Sequence, residues 1–190
     1  MGPSSTPFGV SISCWFALEI GLLVRDIVRR KVRFGGDRGT RAAVSLSIGA
    51  GIVGGSLVRG AVPVLDTPAP GVFAVVGLVV FWIGLAVRLW AVLALGGAFS
   101  TFIQVEGDQQ VVTRGPYRWV RHPSYTGLLL ISAGLGIALG NWLSMVVCTV
   151  VPLLGLLRRM AVEERELVRV LGEPYREYQQ MTRRLVPGLW

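Results

Sequence analysis

Runs of about eighteen or more mostly apolar residues recur along this 190-residue chain, and each is long enough to cross a hydrocarbon core of roughly 30 Å. Inside lipid a backbone must satisfy its own hydrogen bonds, so runs of this kind fold as helices. The expected fold is an all-α integral membrane protein of about five transmembrane helices. The spans are predicted at residues 8–28, 42–65, 71–95, 124–139 and 141–157. Hydrophobic residues make up 52% of the chain and the mean hydropathy is +0.59, values outside the range of a soluble domain. The first run has no basic stretch before it and contains Glu19, Arg25 and Asp26, which favours a retained span over a cleaved signal.

Charge sets the expected orientation. Basic residues follow the first span (Arg29, Arg30, Lys31, Arg33, Arg38, Arg41), the third (Arg114, Arg118, Arg121) and the fifth (Arg158, Arg159, Arg165, Arg169, Arg176, Arg183, Arg184). By the positive-inside rule these segments are cytoplasmic, with the amino terminus outside and the carboxy terminus inside the cell (inner) membrane. The net charge of +8 is thus read as topology and attraction to membrane lipids, and no nucleic acid partner is expected. Lys31 is the single lysine among many arginines, a usage that points to a GC-rich bacterial gene.

The remaining features describe packing. Gly49, Gly51, Gly54, Gly55, Gly77 and Gly84 lie in spans two and three, where small residues let helix backbones approach. Cys14 and Cys148 fall inside spans and read as buried free thiols; with one histidine the chain has almost no ligands for a metal site, and none is expected. Arg88 lies mid-span and should face protein, either lining a cavity or pairing with Glu19. Arg25 and Asp26 should snorkel at the boundary, and Trp82, Trp90, Trp119, Trp142 and Trp190 should anchor the interfaces. Residues 66–70 and the Gly140-Asn141 pair read as short turns.

Beyond residue 157 the pattern turns amphipathic. Met160, Glu164, Leu167 and Leu171 share one stripe of a helix predicted at residues 158–171, with Gly172 as its cap and a second helix at residues 175–184. With the 100–123 loop these pieces form a small cytoplasmic lobe. The whole is one membrane domain, 1–190, in which residues 1–95 supply three spans and residues 96–190 the region that carries chemistry.

That chemistry centres on Gly115-Pro-Tyr-Arg-Trp-Val-Arg-His-Pro-Ser-Tyr-Thr-Gly127, which holds the only histidine, His122. Pro116 and Pro123 push their predecessors out of helical conformation. An irregular polar segment at a membrane boundary is buried in protein or built around a ligand. Arg121 can grip a carboxylate, Tyr125 offers a ring and a hydroxyl, and Gly127 admits a ligand close to the backbone. Arg159 and Glu163 are four residues apart and could be a surface pair. The helical stripe singles out Glu164 as the acid needing a cationic or hydrogen-bonding partner.

The order Gln104, Gln109-Gln-Val-Val112, Gly115-Pro-Tyr117, Arg121-His-Pro-Ser-Tyr125, Arg159 with Glu163-Glu164, Gly172-Glu-Pro-Tyr175 and Arg184-Leu-Val-Pro187 resembles the isoprenylcysteine carboxyl methyltransferase family, within a wider group that includes phospholipid N-methyltransferases. The likeness covers roughly residues 95–188. It implies an S-adenosylmethionine-dependent methyltransferase, of the carboxyl O-methyltransferase type, acting at the cytoplasmic membrane face on a lipophilic or lipidated acceptor. Carried over position by position, it implies cofactor contacts at Gln104, Gln109, Gln110, Val111, Val112, Tyr117, His122, Pro123, Ser124, Tyr125 and Glu163, to which the residues themselves add Arg121 and Gly127. Arg159 is implied near the acceptor, and Glu163 and Glu164 are kept beside it as catalytic candidates. Two other classes stay open: a sterol-type membrane reductase using a nicotinamide cofactor, and a small transporter or assembly protein. Polar groups gathered at one face count against transport.

Overall fold

A computed structural model describes residues 5–28, 39–96 and 111–188. Six helices account for most of them: α1 Ser5–Val28, α2 Thr40–Ala61, α3 Pro70–Leu95, α4 Pro123–Ala138, α5 Trp142–Leu171 and α6 Glu173–Met181. Short 3-10 turns at Pro63–Leu65 and Gly115–Arg118 complete the secondary structure of these residues. The chain is an α-helical integral membrane protein. Among the described residues four helices, α1, α2, α3 and α5, are long and apolar enough to cross a membrane. The fourth expected span is present as α4, but its 16 residues reach only about 24 Å at 1.5 Å per residue.

The fifth span does not stop near residue 157. It continues without interruption as a 30-residue helix to Leu171, so the separate amphipathic helix expected at residues 158–171 is its polar extension. No glycine or proline separates Leu157 from Gly172, and the Arg, Glu, Leu and Val of the extension are compatible with helix. Gly172 ends it at φ 65°, and Pro174 sits in the first turn of α6.

Two close crossings build the bundle. Helices α3 and α4 meet through glycines: a Cβ on Gly84 would lie 2.7 Å from the Ile131 nitrogen, and one on Gly127 2.7 Å from the Arg88 nitrogen. Helices α2 and α5 meet where Pro152 of α5 rests on Gly51 and Cys148 on Gly55. Buried hydroxyls add to this, Ser144 Oγ donating to the Gly55 carbonyl at 2.6 Å across α2 and α5 and Ser132 Oγ to the Cys148 carbonyl at 2.7 Å between α4 and α5. In lipid, packing and such bonds replace the hydrophobic drive between helices. Phe81, Ile131 and Leu156 form the fully buried centre.

The two turns at one end are clamped together. Asn141 caps α5 by accepting from the Ser144 amide, and its Nδ2 donates to Asp66 Oδ1 at 2.9 Å and to the Val62 carbonyl at 3.0 Å. The Thr67 amide donates to the Gly140 carbonyl at 2.8 Å.

Helix α1 is more loosely held, with Trp15 in the main core and Leu22 against Val92 of α3, and makes polar contacts to α3. Trp82 Nε1 donates to Ser11 Oγ at 3.1 Å, and Arg88 Nη2 donates to Glu19 Oε2 at 2.7 Å. Two expectations for α1 are corrected. Asp26 is fully buried and does not snorkel, and Cys14 lies exposed on the outer face of the helix; only Cys148 is buried.

Candidate active site

The segment that carries the single histidine is held from both sides. Pro116 and the amides after it form the 3-10 turn, and Pro123 opens α4. Between them, residues 119–122 pair with a strap just after α6. The Arg121 amide donates to the Arg183 carbonyl at 2.7 Å, the His122 amide to Arg184 at 3.0 Å, and the Arg183 amide to Trp119 at 3.1 Å. Thr126 Oγ1 adds a bond to the Leu185 carbonyl at 2.8 Å, and Tyr178 Oη one to Tyr117 at 2.6 Å. The backbone groups that two prolines exclude from a helix thus find partners in the C-terminal strap.

Glu164 is the anchor of this arrangement. Its Oε1 accepts from Arg121 Nε at 2.9 Å and His122 Nε2 at 3.1 Å, and its Oε2 accepts from Arg184 Nε and Nη2 at 3.2 and 3.0 Å. A carboxylate only accepts, so Nε2 of His122 carries the proton. Four donors fill the roughly four lone-pair sites of the group, leaving none for a ligand. The apolar stripe marked Glu164 as needing a cationic or hydrogen-bonding partner, and Arg121, His122 and Arg184 supply it. Arg121 also donates to the Gln179 and Thr182 carbonyls. It grips a carboxylate as expected, and that carboxylate belongs to its own chain.

Glu163, one residue earlier, turns to the other side. Its Oε2 accepts from Tyr125 Oη at 2.6 Å, and the same Oη accepts from Arg159 Nε at 2.7 Å. Arg159 Nη1 reaches Thr40 Oγ1 of α2 at 3.3 Å. The His122 and Tyr125 rings stack at 5.4 Å between centroids. Ser124 Oγ accepts from Arg88 Nη1 at 2.7 Å. Arg88 therefore does both things considered for it, pairing with Glu19 and lining the cavity.

These groups close one end of a cavity of about 1070 Å³, larger than most pockets for drug-sized ligands. Its polar end is lined by Val111, Val112, Tyr117, Arg121, His122, Ser124, Tyr125, Arg159 and Glu163, joined by Glu19, Arg41, Arg88, Tyr175 and Tyr178. Its walls are α1 from Phe8 to Leu23 and α2 from Val44 to Arg59, apolar apart from Glu19, Ser45, Ser56 and, at the far end, Arg59. Fifteen residues of α1 at 1.5 Å each give a depth of about 22 Å. Burial first, then the Glu163 carboxylate, raise the Tyr117 phenol well above its ordinary value. Burial pushes Tyr178 up to about 12. Both remain neutral donors.

Of the expected site residues, Val111, Val112, Tyr117, Arg121, His122, Ser124, Tyr125, Arg159 and Glu163 come together on this cavity. Pro123 is buried behind it as the first residue of α4. Gly127 serves the α3 crossing and leaves no opening toward a ligand, because the backbone of α3 already occupies the space its side chain would take. Gln104, Gln109 and Gln110 lie outside the described residues. The sequence signalled Arg41 only as a topology charge and Tyr178 not at all. Neither has a periodic partner that would have revealed the cavity wall.

Fold and site together define a polytopic helical membrane protein with a large cavity, mostly apolar along its length, whose charged groups other than Arg59 gather at one end. The profile of the isoprenylcysteine carboxyl methyltransferase (ICMT) family matches residues 75–169, from α3 to the extension of α5, and the chain belongs to that family. The protein-S-isoprenylcysteine O-methyltransferase of Tribolium castaneum is 35% identical over 114 residues, 59% of this chain and 41% of that protein. A probable protein-S-isoprenylcysteine O-methyltransferase of Oryza sativa subsp. japonica is 37% identical over 107 residues, 55% of this chain and 56% of that one. The chain spans about half the length of these curated relatives. The solved structure of the eukaryotic intramembrane Ras methyltransferase ICMT, without a monobody, matches with a TM-score of 0.69 at 26% identity. That likeness covers 98% of this chain and 68% of the solved one.

Proposed function

We propose that the protein transfers the methyl group of S-adenosylmethionine to the carboxylate of a lipophilic, isoprenylcysteine-like acceptor, at the cytoplasmic face of the cell membrane. The observation that supports this most is the hydrogen-bonded Arg159, Tyr125 and Glu163 chain at the polar end of a mostly apolar cavity. A water-soluble cofactor and a membrane-borne acceptor need such a meeting place.

The residues present suit the cofactor. Glu163 offers a negative charge beside the space a sulfonium would occupy, and Tyr117 and Tyr175 offer apolar ring surface with neutral hydroxyls. When bound, S-adenosylmethionine supplies an electrophilic methyl on a sulfonium that departs as a neutral thioether.

Attack must be in line, so positioning supplies much of the acceleration. Arg159 is fixed through Tyr125 and Thr40 and presents a guanidinium suited to hold a carboxylate. A carboxylate is nucleophilic without losing a proton, so no general base is required. Glu164, saturated by its four donors, keeps His122 and the strap in place and takes no proton. The cytoplasmic orientation is supported by the positive-inside pattern.

The test is transfer of labelled methyl from S-adenosylmethionine to N-acetyl-S-farnesylcysteine and, separately, to a native membrane lipid extract. Base-labile label in the product, lost with Arg159→Ala, is the expected result. Absence of saturable S-adenosylmethionine binding, or saturable binding of a nicotinamide cofactor in its place, would overturn the assignment.

A further inference from the structure

Helix α2 carries glycines with opposite surroundings. A Cβ on Gly51 would lie 2.9 Å from Pro152 Cδ, and one on Gly55 2.4 Å from Cys148 Sγ, so α5 uses both gaps. A Cβ on Gly49 would meet nothing within 4 Å, yet Gly49 lines the cavity. One turn to either side on the same face, Ser45 and Val53 also line it. Gly49 is thus a notch in the acceptor wall that packing does not use. Across the cavity stand Ile12, Trp15 and Phe16 of α1.

The notch has a measurable depth. Arg159 donates to Thr40 at the first turn of α2, which sets the level of the polar end. Gly49 is nine residues further along α2, about 13 Å deeper, and Val53 is about 6 Å beyond it. A short apolar chain whose polar head is held at Arg159 stops before Gly49. A longer one must pass it.

We propose that Gly49 is the position that sets which length of isoprenoid chain the acceptor carries, with Val53 governing the next increment. This rests on the acceptor class proposed above. Within that class the occupant is the isoprenoid chain, and the cavity suits it by continuing from a mainly cationic end into a mostly apolar slot about 22 Å deep. The notch admits a chain beyond the first ~13 Å, and a bulky side chain there would plug the slot while leaving the polar end intact.

The experiment compares wild type, Gly49→Phe and Val53→Trp with the geranyl, farnesyl and geranylgeranyl forms of N-acetyl-S-isoprenylcysteine. It reads kcat/KM for methyl transfer and, independently, Kd for each compound without S-adenosylmethionine. In Gly49→Phe, farnesyl and geranylgeranyl compounds should lose about tenfold or more relative to geranyl, in kcat/KM and in affinity. In Val53→Trp only the geranylgeranyl compound should lose that much. S-adenosylmethionine affinity should hold within about twofold, which also reports folding. Val53 is 59% exposed, so its variant keeps the test decisive should Gly49→Phe fail to fold. Equal losses for all three lengths, or none, overturn the gauge while methyl transfer upholds the activity. Length-ordered binding without any methyl transfer overturns the activity and upholds the gauge. Wild type that neither binds nor methylates any of the three overturns both.

Discussion

Helices α1 and α4 both border the cavity, yet they are built on opposite plans. In α4 nine of 16 residues are buried; Gly127 and Gly134 pack against the backbone of α3 and Gly136 against α5. Among the described side chains of α1 only Ser11, Trp15, Leu22 and Asp26 are buried, and Gly9 and Gly21 have nothing nearby. The family match begins within α3 and leaves α1 and α2 outside it. The contrast teaches a division of labour. The polar site groups are carried by helices locked through backbone contact, whereas the cavity wall on α1, which under the proposed function meets an apolar chain, is made of replaceable side chains. Interlocked cores tolerate volume changes poorly, whereas open apolar surfaces tolerate them well.

Four substitutions would break or sharpen that contrast. Glu164→Ala is expected to have the largest effect, about 3–5 kcal/mol of stability, because Arg121 and His122 are left buried without their acceptor. Thermal unfolding in detergent should show it, and an unchanged Tm would refute the anchoring role. Arg159→Ala should cost about 100-fold in methyl transfer, about 2.7 kcal/mol, with S-adenosylmethionine binding retained. Loss of cofactor binding in this variant would instead place Arg159 on the cofactor side. Gly84→Ala should destabilise by about 1–3 kcal/mol, since its new methyl would lie 2.7 Å from the Ile131 backbone nitrogen. Gly21→Leu on α1 should change stability by no more than about 0.5 kcal/mol. If Gly84→Ala and Gly21→Leu shifted Tm equally, the proposed difference between the α3–α4 crossing and α1 would be gone.

The apolar runs made the helices legible in the sequence, and the helix-breaking Pro and Gly made the turns legible. The continuity of α5 was not readable, because Arg158 to Leu171 suits either a new helix or an extension of the old one. In the site, His122, Tyr125 and Glu163 could be picked out by chemistry and order. The choice between Glu163 and Glu164 could not, because neighbouring residues on a helix point about 100° apart and only the surroundings separate their roles. Arg88 illustrates the same limit. Its charge marked it as needing partners and singled out Glu19, but Ser124 lies 36 residues away, where no periodicity connects the two. Gly127 was misread for a related reason: an absent side chain says that space is needed without saying which neighbour fills it.

The pairing of α5 with α2 and of α4 with α3 also constrains how the protein is made. Helices α2 and α3 are joined by a short turn, yet each rests on a different member of the last hairpin, and Asn141 ties that hairpin's turn back to Asp66 and Val62. During synthesis the glycine faces of α2 and α3 therefore emerge before the surfaces that cover them. A ribosome stalled ahead of Trp142 would leave Gly51 and Gly55 facing lipid, and membrane quality control would meet a protein whose first helices are inserted but not yet assembled.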